Sequence, residues 1–434
     1  MLIESNDPKF SFHLKKNPSS GLAMKKMRQG VITGWFPNGN TQQYALFFKD
    51  DTNNSSFSNE GKNFTDMTRY VSTYFVFYSI STMFSSVLKL NPEQESYSHK
   101  ITIPTVQLRS EKTIHHLNKF INLDLEVTKL SEDINSLALY SVNVSFEGTF
   151  NEFMMRTYIL FYLLHGDMFQ GDLQFMEGMI EKVTNILVEL QAEYFLWYLF
   201  KKNIIHKPTT FDKLKPLIGK NSSDGIIEMK YGDTQQQRKQ YIDQYINFDK
   251  NIIDIGCGEG YYVLPYAKKM KSGKIYGIDK DVKLIENLNK KIVDRKQEDI
   301  VILHTDLNVF DGTIVSKNST VLCVEVIEQM PYDDALDLVY KLLGYDFEKL
   351  IITTPNSEFN QFYKTLEGFR HDDHHFEFTP DEFGNFITSV LDKKWINSNG
   401  TKRFRINYEQ VGDVVNGISM SQSYVIAPER NIND

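Results

Sequence analysis

The sequence predicts two folded domains: an α+β domain in the first half and an α/β domain in the second, built on a doubly wound parallel sheet. Three observations predict it. The chain has 434 residues, and at roughly 100 to 200 residues per domain that length asks for two or three domains, each with its own core. The first half mixes short β-like runs with apolar helical stretches in no regular alternation. After Asp233 the rhythm becomes strand, helix, strand, helix, which is the signature of a parallel sheet with helices on both faces.

In the first half, Gly30 to Phe36, Gln43 to Phe48 and Ala138 to Phe146 read as strands. From Glu152 to Lys202 the apolar residues Met154, Tyr158, Phe161, Leu164, then Met176, Ile180, Val183, Leu187 and Leu190 recur at helical spacing, so they are core stripes. Between Lys207 and Asp233 the turn-formers Pro208, Pro216, Gly219, Asn221, Ser222, Ser223, Asp224 and Gly225 cluster without periodicity. The predicted organisation is therefore a domain over 1–205, a linker over 206–234 and a second domain over 235–434. In that second domain strands are expected at Asn251 to Cys257, Lys274 to Asp279, Ile300 to Asp306, Thr320 to Val326 and Lys349 to Thr354. Helices are expected at Tyr261 to Met270, Asp281 to Arg295, Tyr332 to Tyr345, and from Pro380, where Thr379, Pro380 and Glu382 form an N-terminal capping signal. Two last β-like runs, Lys402 to Val411 and Ser419 to Ala427, have no convincing helix between them. A parallel sheet closed by an antiparallel hairpin is the Rossmann-like shape of the class I methyltransferase fold.

Composition bounds the function. The net charge of -8 argues against a protein that coats nucleic acid through a generally basic surface, so any RNA or DNA contact is local. Two cysteines, Cys257 and Cys323, make no disulfide framework, and no secretory leader pattern opens the sequence, so a cytoplasmic location is expected. The charge-free run Tyr70 to Leu88 has the length of a membrane span but carries seven Ser or Thr residues, and reads as a buried helix of a chain without membrane contact.

Asp254-Ile255-Gly256-Cys257-Gly258-Glu259-Gly260 follows an apolar strand and opens a helix, a place where small residues let the backbone approach a nucleoside. The dinucleotide fingerprint wants its third glycine one residue later, where this chain has Tyr261, so the pattern fits S-adenosylmethionine instead. Asp254, Gly256, Cys257, Gly258 and Gly260 form the expected cradle, with Cys257 a small filler and not a nucleophile. Asp279, nineteen residues after Gly260, ends the second strand and is placed to bind the ribose hydroxyls of that cofactor. Asp306 ends the third and is placed to meet the adenine.

A second constellation follows the fourth strand: Glu325-Val326-Ile327-Glu328-Gln329-Met330 sets two carboxylates at the carboxyl edge of the sheet, where ligands bind. Two crowded carboxylates need a cation. Further on, Phe369-Arg370-His371-Asp372-Asp373-His374-His375-Phe376-Glu377-Phe378 holds three histidines within five residues, and carboxylates with imidazole suit a hard-to-borderline metal. The segment Thr354-Pro355-Asn356-Ser357-Glu358-Phe359-Asn360 lies at the next strand end.

These three segments together resemble the metal-dependent RNA 3′-terminal ribose 2′-O-methyltransferases, the small-RNA 3′-end methylating family. The similarity covers about residues 235 to 430, including Gln237-Arg238 and Val411-Gly412-Asp413. The first half resembles, more weakly, the extra domain of the bacterial branch, which works in RNA repair with a polynucleotide kinase-phosphatase-ligase. The resemblance implies methyl transfer from S-adenosylmethionine to the 2′-hydroxyl of an RNA 3′ end with free 2′ and 3′ hydroxyls. It also implies Mg²⁺ or Mn²⁺ held at Glu325, Glu328, Gln329 and His374, where Gln329 stands in place of the family's histidine. An amide oxygen is neutral and is no base near neutral pH. His371 is expected to assist proton removal or touch phosphate, and Arg370 to neutralise the terminal phosphodiester. Two rival readings remain open: a weakened methyltransferase fold kept as a scaffold for a repair ligase, and a small-molecule diol O-methyltransferase.

Overall fold

The computed structural model describes residues 1–27, 30–50, 71–131, 137–168, 178–295, 299–305, 312–316, 318–364, 369–399 and 403–429. By its internal contacts the chain divides into Met1–Ile227 and Glu228–Asp434.

The first unit carries strands β1 (Leu2–Ser5), β2 (Ala23–Met27), β3 (Gly30–Trp35), β4 (Gln43–Asp50), β5 (Tyr97–Leu108), β6 (Asp124–Lys129) and β7 (Ala138–Gly148). They form one antiparallel sheet in the order β2-β3-β4-β1-β5-β7-β6. In β7 the residues Ala138, Tyr140, Val142 and Val144 are buried on alternate positions, so one sheet face is core. The helices are α1 (Phe10–His13), α2 (Thr73–Met83), α3 (Glu111–Ile121), α4 (Phe150–Met168), α5 (Ile180–Glu189), α6 (Tyr194–Ile204) and α7 (Pro208–Leu214). Helix α4 is apolar around most of its circumference, with Phe153, Met154, Tyr158, Phe161 and Leu164 all buried, as a central core helix must be. The run from Ser72 to Leu88 becomes an eleven-residue helix capped by Ser72, followed by a 3₁₀ turn at Ser85–Val87. At ~1.5 Å per residue that helix is about half a bilayer core, and among the described residues no helix is long and apolar enough to cross a membrane.

The division falls inside the expected linker, part of which is folded. Within 206–234, α7 forms with Pro208 at its first turn and with Phe211 and Leu214 buried, and the division falls after Ile227. Pro216 and Gly219 end a packed helix; they do not mark a loose connection, because apolar side chains on that helix gain more by burial than the turn residues suggest.

The second unit runs β8 (Ile227–Glu228), α8 (Thr234–Asp243), β9 (Ile252–Ile255), α9 (Val263–Ala267), β10 (Ile275–Asp279), α10 (Val282–Arg295), β11 (Ile300–His304), β12 (Thr320–Val324), α11 (Tyr332–Leu342), β13 (Lys349–Pro355), α12 (Pro380–Asn397), β14 (Phe404–Val415) and β15 (Ile418–Pro428). The sheet order is β11-β10-β9-β12-β13-β15-β14-β8. Strands β9 to β13 are parallel and β15 runs antiparallel to β13. Helix α12 carries the capping box expected of Thr379 and Glu382. The chain leaves β9 in one direction, to β10 and β11, and returns to β12 on its other side, so the strand order reverses between β9 and β12. That switch point opens a crevice at the carboxyl ends of the strands.

Candidate active site

Both sequence constellations arrive at that crevice, one on each side of the switch. After β9 the loop turns sharply: Gly256, Gly258 and Gly260 have φ of 72°, 51° and 80°, a left-handed region that costs an L side chain about 1 to 2 kcal/mol. A Cβ at Gly256 would lie 2.6 Å from Val326 Cγ2 and one at Gly260 2.4 Å from Leu288 Cδ1, whereas one at Gly258 would meet nothing within 4 Å. Two of the glycines therefore serve packing, and the middle one faces open space. The amides of Gly256 and Cys257 donate to the Ile278 carbonyl at 2.8 and 3.0 Å. Cys257 is buried, and burial pushes its thiol well above the usual range, which suits a filler.

Asp279, at the end of β10, accepts from the Gly258 amide with Oδ2 at 2.8 Å and from the Asp281 amide with Oδ1 at 2.9 Å. Its carboxylate holds the glycine loop in shape, and each oxygen keeps a further lone pair for a ligand hydroxyl. Asp254, on β9, is 2% exposed and its Oδ2 has no hydrogen-bond partner. Burial first, and Asp279 second, push it up to about 8. A carboxylate oxygen left bare in a nucleoside-type cradle fits a cationic ligand group such as a cofactor ammonium. Asp306 lies outside the described residues.

After β12, Glu325 adopts φ 54°, rare for a non-glycine residue and a mark of a constrained site. Its amide donates to the Thr353 carbonyl at 3.1 Å and its carbonyl accepts from Gln329 Nε2 at 3.0 Å. Its Oε1 accepts from Thr353 Oγ1 at 3.0 Å, and its Oε2 lies 2.7 Å from Arg238 Nη2. Glu328 is wholly buried; Oε2 accepts from Thr354 Oγ1 at 3.2 Å and Oε1 has no partner. Burial, with Glu325 beside it, holds Glu328 well above the usual carboxylate range despite Arg238.

The histidine loop is tied to this pair by the His375 amide, which donates to the Glu328 carbonyl at 2.7 Å. His374 is 9% exposed and its Nδ1 lies 2.7 Å from Glu377 Oε1. With the Nδ1 proton donated to that carboxylate, Nε2 is left as the acceptor. Burial raises Glu377, but the hydrogen bonds from His374 and Asn360 and from the Arg370 amide bring it below the usual range. His371, His375 and Gln329 are exposed.

Arg370 departs from expectation. Its Nε donates to Asn360 Oδ1 at 2.6 Å, its Nη1 to the Met420 carbonyl at 2.6 Å, and its Nη2 to the Asn356 carbonyl. Three guanidinium N–H groups are spent on the protein, so Arg370 braces the loop against the β13 end and β15 where the sequence suggested a phosphate contact. The expected metal ligands also do not converge: among the described residues no three His, Cys, Asp or Glu side chains are close enough to hold an ion. Glu325 is paired with Arg238, and the residues as arranged do not fit a metal.

Sequence reasoning missed Arg238 and Glu377 as site residues. Both sit inside quoted motifs, but their partners are 87 and 3 residues away in the chain, and only the second spacing has a local signal.

Strand order, glycine loop and the acidic end of β10 define a class I methyltransferase domain, the S-adenosylmethionine-dependent type. The methyltransferase domain family matches residues 252–346. The Hen1 N-terminal domain family matches residues 1–223, just over half of the chain, and the chain belongs to the Hen1 family. The small RNA 2′-O-methyltransferase of Xenopus tropicalis is 27% identical over 168 residues, 36% of this chain and 45% of that protein. The Drosophila melanogaster protein of the same name is 29% identical over 160 residues, 33% of this chain and 40% of its own length. The match thus spans less than half the length of these curated relatives. A chain in the solved Pnkp1/Rnl/Hen1 RNA repair complex shares the fold, with a TM-score of 0.78 at 24% identity over 98% of this chain and 99% of that one.

Proposed function

We propose that the second unit transfers the methyl group of S-adenosylmethionine to the 2′-hydroxyl of the 3′-terminal ribose of RNA, in the service of RNA repair or end protection. The observation that carries this reading is the pairing across the switch point. A nucleoside cradle with a bare Asp254 oxygen stands on one side, and a carboxylate pair joined to an oriented histidine stands on the other. The likeness to small RNA 2′-O-methyltransferases supports RNA as the acceptor.

In this reading Asp279 binds the cofactor ribose and Asp254 its ammonium. The 2′ oxygen attacks the methyl carbon in line, the carbon–sulfur bond breaks, and S-adenosylhomocysteine leaves with the bonding pair. The 2′ proton passes to His374 Nε2, whose ring Glu377 orients and whose cationic form Glu377 stabilises. Positioning supplies much of the acceleration, since the electrophile is already activated. A divalent ion is the assistance the sequence resemblance implies; no step here is routed through one.

The first unit is proposed to dock a kinase-phosphatase-ligase partner, supported by the shared fold with the chain of the repair complex. A cytoplasmic location goes with that role. The scaffold reading draws on the exposed Gln329 and the unconverged ligands.

The test is incubation with labelled S-adenosylmethionine and either free catechol or RNAs ending in a 2′,3′-diol, a 2′-deoxyribose or a 3′-phosphate, each with Mn²⁺ and with chelator. Label on the diol end alone is expected. Label on none sinks the enzymatic reading in favour of the scaffold, and label on free catechol but not RNA favours the small-molecule reading.

A further inference from the structure

Two carboxylates sharing a buried crevice are compensated by a shared proton or by positive charge. In this chain the compensation comes from a side chain 87 residues upstream of Glu325. Helix α8 opens with a capping box made by Asp233 and Gln236. The next side chain, Gln237, is 3% exposed, and its Nε2 lies 2.9 Å from the Lys230 carbonyl, 2.9 Å from the Gly232 carbonyl and 2.8 Å from Asp413 Oδ1. Asp413 also accepts from the Lys230 amide at 2.8 Å. The first turn of α8 is thereby clamped to β14, and Arg238 follows directly on the clamp.

From there Arg238 Nη2 reaches Glu325 Oε2 at 2.7 Å, the two side chains being 11% and 18% exposed. Tyr262 lies beside the guanidinium, and the charge also acts on Glu328. Thr353 takes the other Glu325 oxygen, so both oxygens of that carboxylate are engaged by the protein. Gln329, a neutral amide, adds no ligand of imidazole strength, and its Nε2 is turned to the Glu325 carbonyl.

We propose that Arg238 is the resident cation of the Glu325–Glu328 pair: its guanidinium stands in for a divalent ion at Glu325, and any such ion has to displace it. The inference rests on reading this pair as the acceptor site, and it makes Arg238 a positioning residue that sets how strongly the site depends on metal. A planar guanidinium held by a clamped helix turn is well suited to this, since it cannot lose its proton and matches a carboxylate edge.

The experiment is a calorimetric titration of Mn²⁺ into the full chain, without RNA or cofactor, paired with electron paramagnetic resonance of free Mn²⁺. Arg238→Gln is expected to tighten binding at one site per chain by at least about tenfold over wild type, since a vacated carboxylate is a ligand for a hard cation. Arg238→Lys, whose ammonium makes a smaller and more mobile partner, is expected to tighten it by a lesser factor. Glu328→Gln added to either variant is expected to remove the gain. Wild-type affinity equal to or tighter than that of the variants overturns the proposal; if Arg238→Gln fails to fold, Arg238→Lys alone decides. Because no RNA is present, a gain in Mn²⁺ binding with no methylation of a diol end would overturn the proposed function while leaving this inference standing.

Discussion

The two sides of the crevice are built on different principles. The loop after β9 is made of backbone: glycine dihedrals shape it, and the amides of Gly256, Cys257 and Gly258 fix it to the Ile278 carbonyl and to Asp279 on the neighbouring strand β10. The site after β12 is made of side chains from five places, namely α8, the ends of β12 and β13, the 3₁₀ turn at Ile327–Gln329 and the loop holding His374. The first is a local device that tolerates drift elsewhere in the sequence. The second is only as good as the least well placed of its contributors, which is why Gln329 and Arg238 can redefine it without any change in the fold.

That contrast is broken most severely by removing the proposed base. His374→Ala should lower transfer to a diol RNA end by roughly 10²- to 10⁴-fold, with S-adenosylmethionine affinity by calorimetry unchanged because the cradle does not use it. A matching loss of cofactor affinity would show that the two sides are one coupled site. On the other side, Asp279→Ala should weaken S-adenosylmethionine by about 1 to 3 kcal/mol. Part of that loss comes from the Gly258 and Asp281 amides, which lose their acceptor. Unchanged affinity would remove Asp279 from the cofactor site.

A third experiment sharpens the comparison through pH. Asp254 is raised by burial and by Asp279 to about 8, so between the ordinary carboxylate range and about pH 8 the folded state binds a proton that the unfolded state has lost. Stability from this group therefore falls as pH rises through that window. Asp254→Asn cannot ionise and should melt higher than wild type by an amount that grows from pH 5 to pH 8, by at most about 1.4 kcal/mol per pH unit. The same substitution should weaken the cofactor. A difference independent of pH would mean that Asp254 is already ionised in the fold. The smallest effect is expected at Gln329→His, which adds an imidazole at an exposed position and should raise Mn²⁺-stimulated transfer by less than about tenfold. A fall in rate would make the glutamine, through its bond to the Glu325 carbonyl, an adapted part of the site.

Much of the fold was legible before any coordinates. Strand-helix alternation after Asp233 placed β9 to β13 to within about two residues, and the Thr379 capping signal placed the start of α12. Long periodic segments are readable because the side-chain pattern and the backbone hydrogen bonds agree locally. The turn-formers of 206–234 bracket the division after Ile227 but give no sign of α7, because they signal where a helix ends, not whether its apolar face is covered, and Phe211 and Leu214 are covered.

For the site, the sequence alone determined the chemistry available: a glycine cradle ending in Asp279, a carboxylate pair, and a histidine loop, each recognisable from neighbours a few residues apart. Tertiary structure decided how those groups are used. It turned Arg370 from a phosphate contact into a brace on Asn356, Asn360 and Met420, gave His374 the Glu377 carboxylate, and set Arg238 against Glu325. The physical reason is that ionic and hydrogen-bond partners depend on distances of a few ångströms between residues far apart in the chain, and those distances exist only once the strand order has placed the α8 turn, the two strand ends and the loop around a single crevice.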